Sequence, residues 1–101
     1  MTGKSSTRLG DIASDHACHF PPTPSIEASL DVNVDGIPAV RQGDSYAPHA
    51  CPTCPAPAHD RALSGGSGSV FINGKPAGRI GDAISCGGAA DEGSSSVFIG
   101  D

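Results

Sequence analysis

Three potential metal ligands follow a repeated tetrapeptide at nearly constant distance. The tetrapeptide Arg-x-Gly-Asp occurs three times, ending at Asp11, Asp44 and Asp82. His16 and His49 lie five residues after the first two endings, and Cys86 lies four residues after the third. Imidazole and thiolate groups bind Zn²⁺ in proteins, and a structural zinc site usually has four of them. The pattern therefore predicts a zinc site with a fourth ligand from elsewhere in the chain.

That fourth ligand must come from outside the repeated pattern. His59 is the leading candidate, because it lies in the connection between the two hairpin-like repeats described below, whereas His19 adjoins a stiff Pro21-Pro22 run. His19 also follows the first Gly-Asp closely, so it remains an alternative to His16 as the first ligand. Any one of these histidines alone could be an ordinary exposed residue, and it is the repetition that favours ligands. The predicted site contains His16, His49, His59 and Cys86.

The other cysteines have several interpretations. Cys51-Pro52-Thr53-Cys54 lies in a Pro-rich loop predicted over residues 48–57 and has the spacing of half a zinc ribbon, a thiol redox motif or two loop cysteines. A ribbon needs a second such pair and a redox motif needs a βαβ context, neither of which the sequence has. Four cysteines could instead form two disulfides, but no signal peptide indicates an oxidising compartment. We expect reduced cysteines, and the sequence assigns no role to Cys18.

The elements that must position these ligands are short hairpins. Residues 31–44 return without a gap as residues 69–82. Each copy contains a short alternating strand followed by Asp35-Gly36 or Asn73-Gly74, the pairs that favour a two-residue type I′ turn. Strand alternation predicts one face with Val32, Val34, Val70 and Ile72, and an opposite face with Asn33 and Phe71. Since Gly or Pro interrupts nearly every stretch, we expect almost no helix.

A third copy is split between the two ends of the chain. Residues 96–100 repeat the strand, and residues 3–11 repeat everything after the turn. The chain thus contains three equivalent units, and a pseudo-threefold arrangement of them would bring His16, His49 and Cys86 to one axis. The chain ends should then meet. We also expect each Arg-x-Gly-Asp to fix its turn through internal Arg–carboxylate or Asp–backbone hydrogen bonds.

Composition limits the classes of function. The chain has 101 residues with 14 Gly, 9 Pro, no Trp, one Tyr and three Phe, so a bound metal is a plausible substitute for a large apolar core. The formal net charge is −5 and the basic residues are scattered, which argues against nucleic-acid binding and against attraction to an anionic membrane surface. Nothing in the sequence reads as a transmembrane segment or signal peptide. We expect one domain, residues 1–101, without an effector extension.

Two tetrapeptides carry a family resemblance. Pro38-Ala39-Val40-Arg41 and Pro76-Ala77-Gly78-Arg79 resemble the Pro-Ala-Ala-Arg signature of PAAR-repeat proteins, each within the same order of strand, turn, signature and Gly-Asp. The resemblance extends from about residue 8 to residue 99. The third signature residue is Val40 or Gly78 instead of Ala, a departure that we expect to matter little. The resemblance implies an all-β, cone-shaped domain with one structural Zn²⁺ at its apex, bound by three His and one Cys at the positions predicted above.

The resemblance also implies a function. PAAR-repeat proteins are non-enzymatic tips that cap and sharpen the trimeric β-helical spike, VgrG-like or phage central spike, of type VI secretion systems and contractile phage tails. We therefore expect one cap per trimer, no stable membrane insertion, and effector proteins as further candidate partners. Such a protein is made in the bacterial cytoplasm and leaves the cell on the spike or resides in a phage particle. The alternatives are an autonomous zinc module for protein interaction, or a small zinc or thiol enzyme.

Overall fold

The computed structural model describes residues 3–14, 22–49, 59–85 and 87–100, with the backbone alone at residues 48, 49, 59 and 60. The regular structure in these residues is entirely β, as the sequence predicts. No helix in the described ranges is long and apolar enough to cross a membrane. The strands are short: β1 (Lys4–Ser5), β2 (Ile12–Ala13), β3 (Thr23–Pro24), β4 (Asn33–Val34), β5 (Ile37–Pro38), β6 (Ser45–His49), β7 (His59–Ala62), β8 (Phe71–Ile72), β9 (Lys75–Pro76) and β10 (Phe98–Ile99).

Three antiparallel pairs correspond to the three sequence units. β4 pairs with β5 and β8 pairs with β9, in hairpins whose turns begin at Asp35 and Asn73. These two residues have φ values of 56° and 54°, and each is followed by a glycine at 79°, the positive values that a type I′ turn requires. The third pair joins β1 to β10, with Lys4 opposite Ile99. The two ends of the chain therefore complete one hairpin-like unit.

Side chains alternate within these short strands as the sequence predicts, but Val32 and Val70, predicted on the inner face, are 36% and 37% exposed. Val34, Ile72 and Ile99 occupy corresponding positions and are 7%, 8% and 7% exposed. They pack in one apolar cluster with Ala39 and Ala77. The preceding residue of each strand points outward instead. Phe71 and Phe98 are 56% and 57% exposed, and Asn33 is exposed at the third corresponding position.

Corresponding residues of the three units also bond to one another in a closed ring. The backbone N–H of Thr7 donates to the carbonyl oxygen of Gly78 at 3.1 Å, that of Gly78 donates to Val40 at 2.9 Å, and that of Val40 donates to Thr7 at 3.0 Å. These three residues are the third positions of the two Pro-Ala-x-Arg signatures and of the matching Ser-Ser-Thr-Arg segment. Each backbone N–H of the ring is satisfied by the next unit, so the units are linked at their centre.

The ring leaves no room for a side chain at Gly78. A Cβ atom there would lie 2.6 Å from Leu63 Cδ2, 2.9 Å from the Val40 carbonyl oxygen and 3.1 Å from Thr7 Cγ2. The expectation that the third signature residue matters little is therefore wrong at this position. The Leu63 and Thr7 side chains and the Val40 backbone occupy the space that an alanine methyl group would need.

Each Arg-x-Gly-Asp forms an internal clamp, which confirms the structural interpretation of this motif. In the second unit, Arg41 donates from Nε to Asp44 Oδ2 at 2.8 Å and from a terminal nitrogen to Oδ1 at 2.9 Å. The backbone N–H of Arg41 also donates to Oδ2 at 2.8 Å. The side-chain hydrogen bonds to Asp44 raise the pKa of Arg41. Equivalent contacts join the other two pairs, Arg8 with Asp11 and Arg79 with Asp82.

The clamp arginines and three buried serines connect each unit to the turn of the next. The remaining guanidinium nitrogen of each arginine reaches that turn: Arg8 to Asp35 Oδ2 at 3.4 Å, Arg41 to Asn73 Oδ1 at 3.1 Å and Arg79 to the Gly100 carbonyl oxygen at 3.4 Å. The serine hydroxyls donate in the same order: Ser94 to Asp35, Ser29 to Asn73 and Ser67 to Gly100. Polar groups therefore link every neighbouring pair of units.

A second layer, formed by two further strand pairs, follows the first and second clamps in the chain. β2 pairs with β3 and β6 pairs with β7, around a cluster of buried residues: Ala13, Val40, Tyr46, Leu63, Ile84 and Ala90. The predicted loop over residues 48–57 is wrong at its start, since β6 runs through Pro48 to His49. Proline cannot donate to a strand ladder, but it is tolerated where the ladder is irregular, and the pairing of β6 is irregular between Tyr46 and His49.

Candidate functional site

The irregularity in the β6–β7 pair brings two predicted ligand positions opposite each other. Tyr46 pairs with Arg61, and the next pair is His49 with His59. Between these pairs β6 advances three residues while β7 advances two, so β6 contains one extra residue. If the ladder continued regularly from the Tyr46–Arg61 pair, Pro48 and not His49 would lie opposite His59. The bulge at Ala47 and Pro48 thus aligns residues 49 and 59.

The other two predicted ligands, His16 and Cys86, lie outside the described residues, but the chain beside each of them is described. The backbone N–H of Ser14 donates to the Ala89 carbonyl oxygen at 2.8 Å, and the Ala89 N–H donates back to Ser14 Oγ at 3.0 Å. A Cβ atom at Gly88 would lie 2.8 Å from the Ser14 carbonyl oxygen, so the two segments touch through their backbones. The chain just before His16 therefore contacts the chain just after Cys86.

One buried cation joins these segments to the β6–β7 pair. Arg61 is 1% exposed and donates from one terminal nitrogen to the Ser14 carbonyl oxygen at 2.6 Å and to that of Gly87 at 3.2 Å. The other terminal nitrogen donates to Thr23 Oγ1 at 3.0 Å and reaches the Ala13 carbonyl oxygen at 3.5 Å. All four acceptors are uncharged. Arg61 is the largest side chain among the fully buried ones.

Arg61 was not predicted from the sequence. Its signal is an arginine that is not part of an Arg-x-Gly-Asp motif and that shares a strand face with the apolar Leu63 two residues later. A charged residue in line with a buried apolar one is unusual unless its hydrogen bonds are satisfied inside the protein. That signal is weak in a chain with so little regular strand.

His19, Cys18, Cys51 and Cys54 lie outside the described residues. Among the side chains that are described, no group of three His, Cys, Asp or Glu residues could hold a metal ion. None of the four predicted ligands contributes a described side chain, so the metal prediction depends on backbone positions.

Comparison with known proteins decides the family. A family model for the PAAR motif matches residues 17–91, most of the chain. The chain belongs to the PAAR motif family. This family is associated with spike-tip proteins of contractile injection systems and is not known for enzymatic activity. A comparison with curated proteins returns no significant match. The matched range contains both Pro-Ala-x-Arg signatures and His49, His59 and Cys86, whereas both halves of the split unit lie outside it.

The donor set of this PAAR chain suits a structural Zn²⁺ ion. Imidazole and thiolate are borderline-to-soft ligands, and zinc accepts them in tetrahedral sites. Residues 49 and 59 lie directly opposite each other in the strand pair. The donors that would complete the site are His16 and Cys86, next to segments that Arg61 holds at the same strand pair.

Proposed function

We propose that this protein is a zinc-stabilised, non-enzymatic cap on the trimeric β-helical spike of a contractile injection machine. In this proposal the three units form a pseudo-threefold cone around the ring of Thr7, Val40 and Gly78. The clamps and hairpins lie towards the base, and His16, His49, His59 and Cys86 bind one Zn²⁺ at the apex. The observation that carries the proposal is the pairing of His49 with His59 in a chain of the PAAR family.

The proposed role is mechanical. A zinc ion with four protein ligands has no open coordination position for water, so it stabilises structure instead of activating a nucleophile. It would cross-link segments from four parts of the chain at the apex, where the apolar cores are small and the strands short. The rigid tip would then transmit the force of sheath contraction to the target envelope without catalytic turnover.

The base of the proposed cone would contact the spike. Phe71 and Phe98 occupy corresponding positions on two units and are both more than half exposed, which is unusual for large aromatic side chains. Three similar hairpins in one chain can present three similar faces to three identical subunits. We therefore propose one cap per trimer, with the two phenylalanines in the interface and Asn33 at the third position.

The setting of this function follows from the family. The protein would be made in the bacterial cytoplasm, assembled on the spike and carried out of the cell or retained in a phage particle. Effector proteins are proposed as additional cargo on the same spike. The net charge of −5 and the scattered basic residues favour these protein partners over nucleic acid.

The metal part of the proposal is tested by elemental analysis of the purified protein. We expect one zinc per chain. Cys86→Ser should cause severe loss of zinc, whereas Cys51→Ser and Cys54→Ser should retain it. Equal loss in all three variants would indicate a cysteine-rich site instead. His16→Ala should remove the metal and His19→Ala should not, and the reverse result would reassign the first ligand. Protein without stoichiometric transition metal would contradict the zinc site altogether.

The capping part is tested with a trimeric β-helical spike protein from the organism that makes this chain. Native mass measurement of the purified complex should give one chain per trimer. Three chains per trimer, or no binding, would contradict the proposal. An enzymatic alternative predicts hydrolase or disulfide-exchange activity in metal-loaded, reduced protein, and we expect none.

A further inference from the structure

Arg61 lies close in the fold to the chain segments that flank the four predicted ligands. It lies two residues after His59 in β7, opposite Tyr46, which is three residues before His49 in β6. Its guanidinium donates to Ser14, two residues before His16, and to Gly87, the residue after Cys86. The Arg61 side chain therefore contacts the segments beside His16 and Cys86, while its backbone belongs to the strand pair that contains His49 and His59.

The acceptors of Arg61 indicate a geometric role. Burying a guanidinium costs free energy that a carboxylate partner usually offsets, yet every described acceptor here is a carbonyl or hydroxyl oxygen. A positive charge would also repel a nearby metal dication, so it does not attract the metal. What arginine supplies here is a planar group whose two terminal nitrogens donate to separate oxygen atoms in fixed directions, as lysine cannot.

The bonded segments also have backbone contacts of their own: Ala13 bridges Ala90, and the Ser85 N–H donates to the Ala62 carbonyl oxygen at 2.9 Å. Ser14 and Ala89 bond to each other, and the Gly87 N–H donates to the Ile84 carbonyl oxygen at 3.0 Å. Arg61 links both segments to the β6–β7 pair. Gly88 permits this arrangement because it has no side chain. A Cβ atom there would lie only 2.9 Å from the Arg61 terminal nitrogen, which is too close. The close approach of backbone and guanidinium thus depends on both residues.

We propose that Arg61 is a positioning residue that holds the segments next to His16 and Cys86 against the His49–His59 strand pair before metal binds. The proposal rests on the zinc-cap function proposed above for its consequence, but its structural part concerns the metal-free protein. Without Arg61, the segments beside His16 and Cys86 would be less ordered in the metal-free protein, and part of the metal-binding free energy would be spent on ordering them.

The test compares Arg61→Lys and Arg61→Met with Arg41→Lys in the full chain. Arg41→Lys makes the same chemical change in a clamp whose arginine contacts Asp44 and Asn73, not the ligand segments. Amide hydrogen exchange is measured after zinc removal by a chelator, and zinc affinity is measured by chelator competition. Co²⁺ substitution reports the coordination geometry through its visible spectrum.

We expect faster exchange of the Ser14 and Ala89 amides in both Arg61 variants and zinc affinity lower by about 10–100-fold, the usual effect of losing a group that orients metal ligands. The tetrahedral Co²⁺ spectrum should reappear at saturation, because the ligands remain. Arg41→Lys should lower thermal stability but change neither exchange at Ser14 nor zinc affinity. Arg61→Met keeps a long side chain without donors, so amide exchange and zinc affinity can be measured in it if the lysine variant does not fold.

Three results would overturn the proposal: unchanged exchange and affinity in both Arg61 variants, equal effects of Arg61→Lys and Arg41→Lys, or unfolding of the wild-type protein on zinc removal. If wild-type protein binds no zinc at all, the proposed function fails. The exchange comparison still decides whether Arg61 orders the two segments, so the two failures are distinguishable.

Discussion

The backbone N–H of Gly78 donates to the carbonyl oxygen of Val40 at 2.9 Å, and the same carbonyl oxygen would lie 2.9 Å from any Cβ atom placed on Gly78. The hydrogen bond and the absence of a side chain are therefore linked. This contact belongs to the ring through which the three units meet, so a change at Gly78 acts on all of them.

Gly78→Ala should destabilise the protein. The added methyl group would be 2.6 Å from Leu63 Cδ2 as well as close to the backbone of Val40, and overpacking of this kind costs about 1–3 kcal/mol. Thermal or urea unfolding measures the loss. Gly100→Ala is the control, since a Cβ atom there meets nothing within 4 Å. A stability for Gly78→Ala equal to that of Gly100→Ala would contradict the close packing of the ring.

Tyr46 should lose its proton only at strongly alkaline pH. Burial raises its pKa to about 12, above the value of about 10 in an unfolded chain. Thr7 lies near the hydroxyl, but neither oxygen has a hydrogen-bond partner of ordinary geometry. Since Tyr46 is the only tyrosine and there is no tryptophan, its ultraviolet absorbance reports the titration directly.

The same shift predicts how stability depends on alkaline pH. The unfolded chain releases the Tyr46 proton near pH 10 and the folded chain near pH 12, so stability is lost as pH rises between about 10 and 12. Tyr46→Phe should be nearly as stable as wild type at neutral pH, because the hydroxyl it removes has no partner among the described residues. It should lose less stability than wild type in the alkaline range. Parallel losses would contradict the buried, neutral phenol.

Asp35 should contribute to stability above its titration range. Hydrogen bonds from Ser94 and Ser96 lower its pKa, with a further contribution from the charge on Arg8. A carboxylate with a lowered folded pKa stabilises the protein above about pH 4 and loses this effect as pH falls through the folded value. Asp35→Asn should therefore reduce the loss of stability on acidification, measured by unfolding at a series of pH values.

Asparagine suits this test because Asn73 occupies the same turn position in the next unit with nearly the same φ. Asp91→Asn is the control, since it also removes one exposed carboxylate but lies outside the hairpin turns. If both variants change the acid dependence equally, the hydrogen-bonded environment of Asp35 has no specific effect.

Substitution of Phe71 and Phe98 should weaken binding to the spike but leave the stability of the fold almost unchanged. Both are more than half exposed, so Phe71→Ser and Phe98→Ser should change stability by about 0.5 kcal/mol or less. Together they should weaken spike binding more than about tenfold, since buried aromatic anchors dominate protein interfaces. Ile26→Ser is the control, because Ile26 is equally exposed at 56% but its N–H donates to Ser45 in the second layer. Equal effects of all three substitutions on binding would contradict the proposed base.

A circular permutant should fold and bind zinc. Because Lys4 pairs with Ile99, a linker of a few residues between positions 101 and 1 can close the third hairpin. Opening the chain at Asp35-Gly36 instead breaks one turn while every strand and predicted ligand remains. Linker length should matter little, since loop entropy depends weakly on length. Zinc content and thermal unfolding provide the measurement. A second permutant opened between Tyr46 and Ala47 would interrupt the β6–β7 pair and should lose zinc. Failure of the first permutant at several linker lengths would contradict the equivalence of the three units.

The sequence alone determined the features that depend on neighbouring residues. Asp35-Gly36 and Asn73-Gly74 favour type I′ turns through their own backbone preferences, and alternation assigns Val34 and Ile72 to the inside of their strands. The repeated spacing also showed that residues 96–100 and 3–11 form one unit, because strand, turn and clamp recur in order. The ligand types could be proposed in the same way, by their recurrence after each clamp.

Only the tertiary structure decided the features that depend on distant residues. The ring requires a glycine at position 78 because Thr7, Val40 and Leu63 arrive there from three other parts of the chain. The bulge that aligns His49 with His59 exists only in the pairing of β6 with β7, and no local pattern marks it. Arg61 is an ordinary arginine in sequence, and its role arises because folding surrounds it with the carbonyl oxygens of Ser14 and Gly87. Local preferences fix turns and strand faces, whereas register and close approach result from contacts between segments that are far apart in the chain.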